Sequence, residues 1–190
     1  MWSRQKITIL LIITTVLIRS NNGAKQKSPK VVYYISTKVD FNPEYLQDHY
    51  FTIAADRQTA DIVLNIAKTF VYDPWAGITI TFQNLKTKLS RVLFQYDINV
   101  CAILGKQGSQ LNSFVSGWIN NFWKYGDLPR SCPIKKYFQG NYTWNNLRAE
   151  KLNIPNFISN GHYLININTY FRYGGSIDSI ANLTIVVELK

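Results

Sequence analysis

The stretch that decides the fold is residues 162–189, which read HYLININTYFRYGGSIDSIANLTIVVEL. Apolar and polar side chains alternate in residues 162–171 and again in residues 180–189, and successive side chains of a β-strand point to opposite faces of a sheet. The Gly174–Gly175 pair between the two runs is typical of a tight hairpin turn. The stretch therefore predicts a long β-hairpin with one apolar face turned towards an interior.

Further runs of β-branched and aromatic residues recur along the chain at intervals of roughly ten residues, separated by turn-forming residues. We expect turns at Asp73–Gly77 and Tyr173–Ser176, where Pro, Gly and Ser occur. Short strands with this spacing are typical of an all-β sandwich or barrel. The predicted strands span residues 31–39, 50–55, 62–70, 78–85, 92–101, 141–147, 162–171 and 180–189.

Two N-glycosylation sequons indicate which strand faces point outward. Asn141 and Asn182 each begin an Asn-x-Thr motif, and an attached sugar cannot be buried. Because side chains alternate along a strand, the residues next to these asparagines must point inward. The predicted interior is therefore aliphatic and aromatic, with hardly an ionisable group. Its members on these two strands are Tyr142, Trp144, Leu183, Ile185, Val187 and Leu189.

One segment breaks the β pattern. Between Leu111 and Trp123 the apolar residues recur every three or four positions, which predicts an amphipathic helix. This helix lies between the two cysteines of the chain, Cys101 and Cys132, an even count that suits one disulfide. Such a bond would hold the two ends of the helical excursion against the sheet.

The first residues predict export. Residues 1–24 have a basic start, an apolar run from Ile7 to Ile18 and a polar end with small residues, the three parts of a secretory signal peptide. The alternative is an uncleaved signal anchor, although a transmembrane helix needs about 20 apolar residues. Residues 25–30 form a polar leader and residues 31–190 one domain. With the sequons and the paired cysteines, these features predict a secreted, extracellular glycoprotein.

Part of the formal charge of +10 comes from the predicted signal peptide. Cleavage after Ala24 would remove Arg4, Lys6 and Arg19 and leave +7. The remaining basic residues form small scattered clusters, typical of a solvated surface, so we expect no nucleic-acid partner. Anionic lipid head groups and sulfated polysaccharide remain as electrostatic partners. Because no second hydrophobic stretch reaches membrane length, we also expect no stable membrane span.

Catalytic residues are scarce. His49 and His162 are the only histidines, and neither has the spacing of a metal ligand. We expect His49 in a solvated loop or at a strand edge and His162 on the surface. The sequence has no nucleophile elbow, phosphate-binding glycine loop or zinc motif. We therefore predict a protein that is not an enzyme and needs no cofactor or metal, with a hydrolase using both histidines as the alternative.

Several motifs follow one another in a characteristic order along residues 78–189. They are FQYDINVC at 94–101, the aromatic helix ending in Phe122-Trp123, Ser131-Cys-Pro-Ile134, Ile154-Pro155 and Gly161-His-Tyr163. In these motifs the chain resembles a large insect family of secreted proteins that includes the CheA and CheB chemosensory proteins. That family is distantly similar to the ganglioside activator and its ML-type lipid-recognition relatives. The N-terminal third of this chain lacks the further cysteine pair that many members have.

The resemblance implies a fold and a ligand site. The fold would be an immunoglobulin-like β-sandwich, an ML-type cup whose two sheets are splayed enough to admit a hydrophobic ligand. The residues alone leave a filled core as the alternative. The expected lining is Phe82, Phe94, Tyr96 and Ile98 from one sheet and Ile165, Ile167 and Phe171 from the other. Trp118 and Phe122, with Phe157 and Ile158, would form a lid.

Two functions follow as expectations. The first is a secreted, non-enzymatic binder or carrier of a lipid, hydrocarbon or pheromone in chemosensation. The second is an extracellular interaction protein that modulates a receptor or channel without a bound ligand.

Overall fold

The structure is a computed structural model. It describes residues 30–84, 87–104, 124, 126, 127, 129, 131–135, 141–148, 154 and 158–190. The predicted signal peptide, almost all of the polar leader and the predicted helix from Leu111 to Trp123 lie outside the described residues. Within the described residues no helix is long and apolar enough to cross a bilayer.

The described part of the chain contains eight β-strands and one short helix. The strands are β1 (Val32–Phe41), β2 (Leu46–Ile53), β3 (Thr59–Ile66), β4 (Pro74–Asn84), β5 (Leu89–Asn99), β6 (Tyr142–Arg148), β7 (Gly161–Tyr173) and β8 (Ser176–Leu189). The helix α1 (Val100–Leu104) follows β5 directly.

The strands form two antiparallel sheets. The larger has the strand order β1-β8-β7-β4-β5 and the smaller has the order β2-β3-β6. Buried side chains of the two sheets pack against each other. The mainly β sandwich expected from the strand spacing is confirmed.

The C-terminal hairpin has the predicted form. Tyr173 pairs with Ser176, so Gly174 and Gly175 make a two-residue turn. Their φ angles are 53° and 81°, the left-handed values that a type I′ turn requires at both central positions and that glycine adopts without strain. All six side chains predicted to point inward beside the sequons are buried.

Some element boundaries differ from the expectation. The predicted turn at Asp73–Gly77 is wrong, because β4 begins at Pro74, which pairs with Phe171 of β7. Proline is tolerated as the first residue of a strand, where it removes no essential ladder hydrogen bond. At the far end of β5, Val100 and Cys101 belong to α1 rather than to a strand.

Buried apolar residues form two clusters. The main core joins β1, β7 and β8 to the smaller sheet and contains Val32, Tyr34, Phe51, Ala60, Ile62, Trp144, Leu147, Tyr163, Leu183, Ile185, Val187 and Leu189. The hairpin-end core lies towards the β7–β8 turn and contains Leu46, Ile66, Phe70, Leu104, Ile134, Tyr142, Phe171, Ile180 and Ala181.

Candidate functional site

Burial falls steadily across the inner face of the larger sheet. On β8 the inward side chains from Leu183 to Leu189 are only 9% to 3% exposed. On β5, at the edge of the sheet, Phe94 is 36% and Tyr96 is 54% exposed. Ile80 and Phe82 of β4 are partly buried and pack against the main core, whereas no described residue of β5 does so. The sandwich is therefore closed along β1 and β8, partly covered along β4 and open along β5.

Apolar side chains cover this open side. We define the open face as the inward side chains of β4 and β5 with the adjoining ones of β7: Ile78, Ile80, Phe82, Phe94, Tyr96, Ile98, Ile165 and Ile167. The strand register sets them in rows that run from β5 through β4 and β7 to β8. Two such rows are Tyr96, Ile78, Ile167 and Leu183, and Phe94, Ile80, Ile165 and Ile185. Each row runs without interruption from an exposed aromatic ring to a buried aliphatic side chain.

The structure brings six of the seven expected lining residues together, but not from opposite sheets. Strand β7 pairs directly with β4, so Ile165 and Ile167 lie in the same sheet as Phe82 and Phe94. The expectation that they face each other across the sandwich is therefore wrong, because side-chain alternation assigns a face but not a pairing partner. The smaller sheet instead contributes Trp144 and other main-core residues opposite. The six residues are Phe82, Phe94, Tyr96, Ile98, Ile165 and Ile167.

Phe171 lies elsewhere, in the hairpin-end core. Its ring makes edge-to-face contacts with Tyr45 and Phe70, each at a centroid distance of 5.1 Å. It is 3% exposed, which is the environment of a packing residue.

The expected lid is only partly described. Ile158 packs against the main core. Trp118, Phe122 and Phe157 lie outside the described residues.

Several polar and charged groups of the larger sheet lie on its outer face. Asn166 accepts a hydrogen bond from the Thr184 hydroxyl at 2.9 Å. Arg172 lies 3.3 Å from a carboxylate oxygen of Asp97 and stacks over the Trp75 ring at 4.6 Å. The two faces of the sheet thus differ sharply in polarity.

The disulfide lies at the end of β5. Cys101 in α1 is bonded to Cys132, with a Cα–Cα distance of 5.6 Å, as the even cysteine count predicted. Ile134, two residues further on, accepts a backbone hydrogen bond from Phe70 at 2.9 Å and is buried. The bond therefore joins the end of the exposed edge strand to the hairpin-end core. Asp73 lies close to both sulfurs, but a disulfide leaves no thiolate to hold a metal.

The two histidines lie in different sheets. His49 is in β2, an edge strand, as one of the expected placements had it. The His49 side chain is partly buried, and its Nδ1 lies 3.2 Å from the Val63 carbonyl oxygen. Burial lowers the pKa of His49, because it disfavours the charged imidazolium. His162 is in β7, where Nε2 lies 3.8 Å from a carboxylate oxygen of Glu188. Each imidazole therefore has its own local partner.

The two sequon asparagines differ in exposure. Asn182 is exposed on β8, opposite Asp40 of β1 and Asn168 of β7. Leu183, which follows it in the strand, is buried, so Asn182 points away from the core. Asn141 is partly buried and immediately precedes β6.

A second exposed apolar surface, not predicted from the sequence, lies at the β7–β8 turn. We call it the tip patch and define it by Val71, Tyr72, Tyr173 and Ile177. Val71 is 87% exposed, and the rings of Tyr72 and Tyr173 stack with centroids 5.0 Å apart. The available sequence signal was the presence of large apolar residues directly beside turn residues.

In comparison with known proteins, residues 76–165 are similar to a family that is described as a protein of unknown function (DUF1091). The matched range runs from β4 through β5, α1 and β6 into β7. It contains seven of the eight residues of the open face and ends at one of them, Ile165. No curated protein matches the chain.

Proposed function

We propose that the protein binds and carries a hydrophobic small molecule on the open face. The observation that supports this most strongly is the burial gradient along the apolar rows. A filled sandwich core would cover Phe94 and Tyr96, whereas here both rings stay accessible beside a continuous apolar surface. Exposed apolar surface of this kind, bordered by polar residues, is characteristic of a binding site.

The driving force would be desolvation. An acyl or hydrocarbon chain laid along the rows would gain about 0.8 kcal/mol for each methylene group that it buries. Part of this gain offsets the lost freedom of the ligand. The absence of charged groups from the two central rows favours an uncharged chain there over a polar molecule.

The biological setting of the proposal is extracellular. A signal peptide, N-glycosylation sequons and a disulfide are features of secreted glycoproteins, and the sequence predicts the first two of these here. The resemblance to CheA and CheB proteins suggests chemosensation, with a lipid, hydrocarbon or pheromone as ligand. We propose no enzymatic activity for the described histidines, since each has a separate structural partner.

The experiment is a titration of the secreted protein with a fluorescent fatty-acid analogue. Tyr96→Asp places a charge in the central row of the open face, and we expect it to weaken binding at least tenfold, or by about 1.4 kcal/mol. Ile177→Asp makes a comparable change at an exposed position of the tip patch and is the matched control. Equal affinity for both variants and the parent would refute binding on the open face.

The tip patch favours a second candidate function, in which the protein modulates a receptor or channel without carrying a ligand. Stacked tyrosines flanked by exposed aliphatic side chains resemble the aromatic centres of protein interfaces. The same two variants separate the candidates. If the second is correct, Ile177→Asp abolishes the receptor response, Tyr96→Asp leaves it intact, and the parent protein does not bind the analogue.

A further inference from the structure

A β-bulge in β5 changes which side chain reaches the end of the open face. Phe94 pairs with Ile80, but the next residue of β4, Thr81, pairs with Val92, so Leu93 is the extra residue. An uninterrupted strand would set Val92 opposite Phe82. With the bulge, Arg91 takes that place. Since paired residues of an antiparallel sheet project from the same face, a cationic side chain replaces an aliphatic one there.

Arg91 has no carboxylate partner among the described residues. It is exposed, while Phe82 beside it packs edge-to-face on Tyr163 at a centroid distance of 5.3 Å. Glu188, an acidic residue at this end of β8, lies on the outer face, where it pairs with Lys190 at 3.1 Å and lies by His162. The guanidinium is thus available to an anion that approaches along the apolar surface.

The same end of the sandwich is cationic on both sheets. Strand pairing places the β4–β5 turn with Lys88 at the end of the larger sheet where β7 begins. Arg57, in the β2–β3 turn, donates a hydrogen bond from Nε to the Tyr34 carbonyl oxygen at 3.1 Å, which places it at the same end beside β1. Arg148, at the end of β6, lies 3.9 Å from Asp56, which is the acidic residue of the β2–β3 turn. The described basic residues of these turns and strand ends therefore outnumber the acidic ones.

We infer that the ligand is an anionic amphiphile whose carboxylate or phosphate pairs with Arg91 while its chain lies along the apolar rows. This inference rests on the proposed function and specifies its ligand class. The distance along the strand from the Phe82 row to the Ile78 row is about 14 Å, at about 3.4 Å per residue, a length that accommodates a single acyl chain. Arginine suits the head group because its planar guanidinium binds carboxylate or phosphate through two parallel hydrogen bonds.

The test compares three probes by calorimetric titration: dodecanoic acid, dodecanol and butanoic acid. Arg91→Gln removes the charge, Arg91→Lys keeps it, and Lys38→Gln, on the outer face of β1, is the control. We expect Arg91→Gln to weaken dodecanoate binding about fivefold, which corresponds to about 1 kcal/mol, and to leave dodecanol binding unchanged. The preference for dodecanoate should also shrink as salt is raised, and Arg91→Lys should retain part of it.

The outcomes separate this inference from the proposed function. If dodecanoate and dodecanol bind equally well and Arg91→Gln affects neither, the anionic ligand is wrong and the hydrophobic site stands. If butanoate binds as tightly as dodecanoate, the site takes a free anion and the amphiphile is wrong. If neither long-chain probe binds, the proposed function itself fails.

Discussion

Phe171 and Phe94 allow one substitution to be compared in two environments. Both were expected to line a cavity, yet Phe171 is 3% and Phe94 36% exposed. Removing a fully buried phenylalanine ring costs about 3 to 5 kcal/mol, because the transfer free energy is lost and a cavity remains. We therefore expect Phe171→Ala to lower the free energy of unfolding by about 4 kcal/mol.

For Phe94→Ala the cost should be smaller. Full burial of a phenylalanine side chain is worth about 1.5 to 3 kcal/mol, and about two-thirds of this side chain is buried, which gives about 1 to 2 kcal/mol. No closed cavity forms, because the site opens to solvent. The Phe94 ring contacts the Tyr96 ring in a tilted arrangement, at a centroid distance of 6.1 Å. Phe94→Ala should instead weaken binding of the fatty-acid analogue.

The assay is urea unfolding of the three proteins at neutral pH, followed by tryptophan fluorescence. The slope of free energy against urea must be the same for all, so that the midpoints report stability alone. A loss for Phe94→Ala equal to that for Phe171→Ala would refute the reasoning, since Phe94 would then be a core residue. Unchanged ligand binding by the Phe94→Ala variant would also refute the reasoning.

Two further predictions concern stability. Replacing Cys101 and Cys132 together by serine opens a loop of 31 residues. Because the disulfide restricts the unfolded chain, its loss should lower the free energy of unfolding, measured in urea, by about 3 to 4 kcal/mol. A loss below about 1 kcal/mol would contradict this explanation. His49 has a pKa below its usual 6.5 because burial disfavours the cation, so the unfolded chain binds a proton more readily and stability should fall as pH drops below about 6.5. His49→Gln should flatten this dependence in urea midpoints measured between about pH 7 and pH 5, and an unchanged slope would show that other groups cause it.

The faces of the strands could be predicted from the sequence, because alternation in β6, β7 and β8 is unambiguous and the sequons fix its direction. The hairpin turn was equally clear, since glycine at both central positions permits the left-handed conformation. The disulfide followed from the even number of cysteines. The strand faces and the turn are set by neighbouring residues, and two cysteines allow only one intramolecular disulfide.

The pairing of strands could not be predicted. Ile80 and Ile165 are 85 positions apart in sequence, and alternation does not show that their strands are neighbours. The bulge at Leu93 was also hidden, because the residues before Phe94 lack regular alternation. Both features determine the candidate site: the pairing puts the open face in one sheet, and the bulge turns Arg91 towards it.

The contrast between the two edges of the sandwich explains why the open face and the core could not be distinguished from sequence. Apart from Arg91, the inward side chains of β5 are as apolar as those of β8, but only those of β8 are packed into the core with the smaller sheet. Coverage depends on how many strands each sheet contains. A three-stranded sheet opposite a five-stranded one leaves apolar side chains exposed at one edge.

Native mass spectrometry of the protein secreted by cultured cells, offered dodecanoic acid, tests the central claim most directly. We predict one bound ligand per chain for the parent and for Ile177→Asp, and none for Tyr96→Asp with an unchanged urea midpoint. A parent protein that remains free of ligand, or a Tyr96→Asp variant that retains it, would contradict a carrier function for the open face.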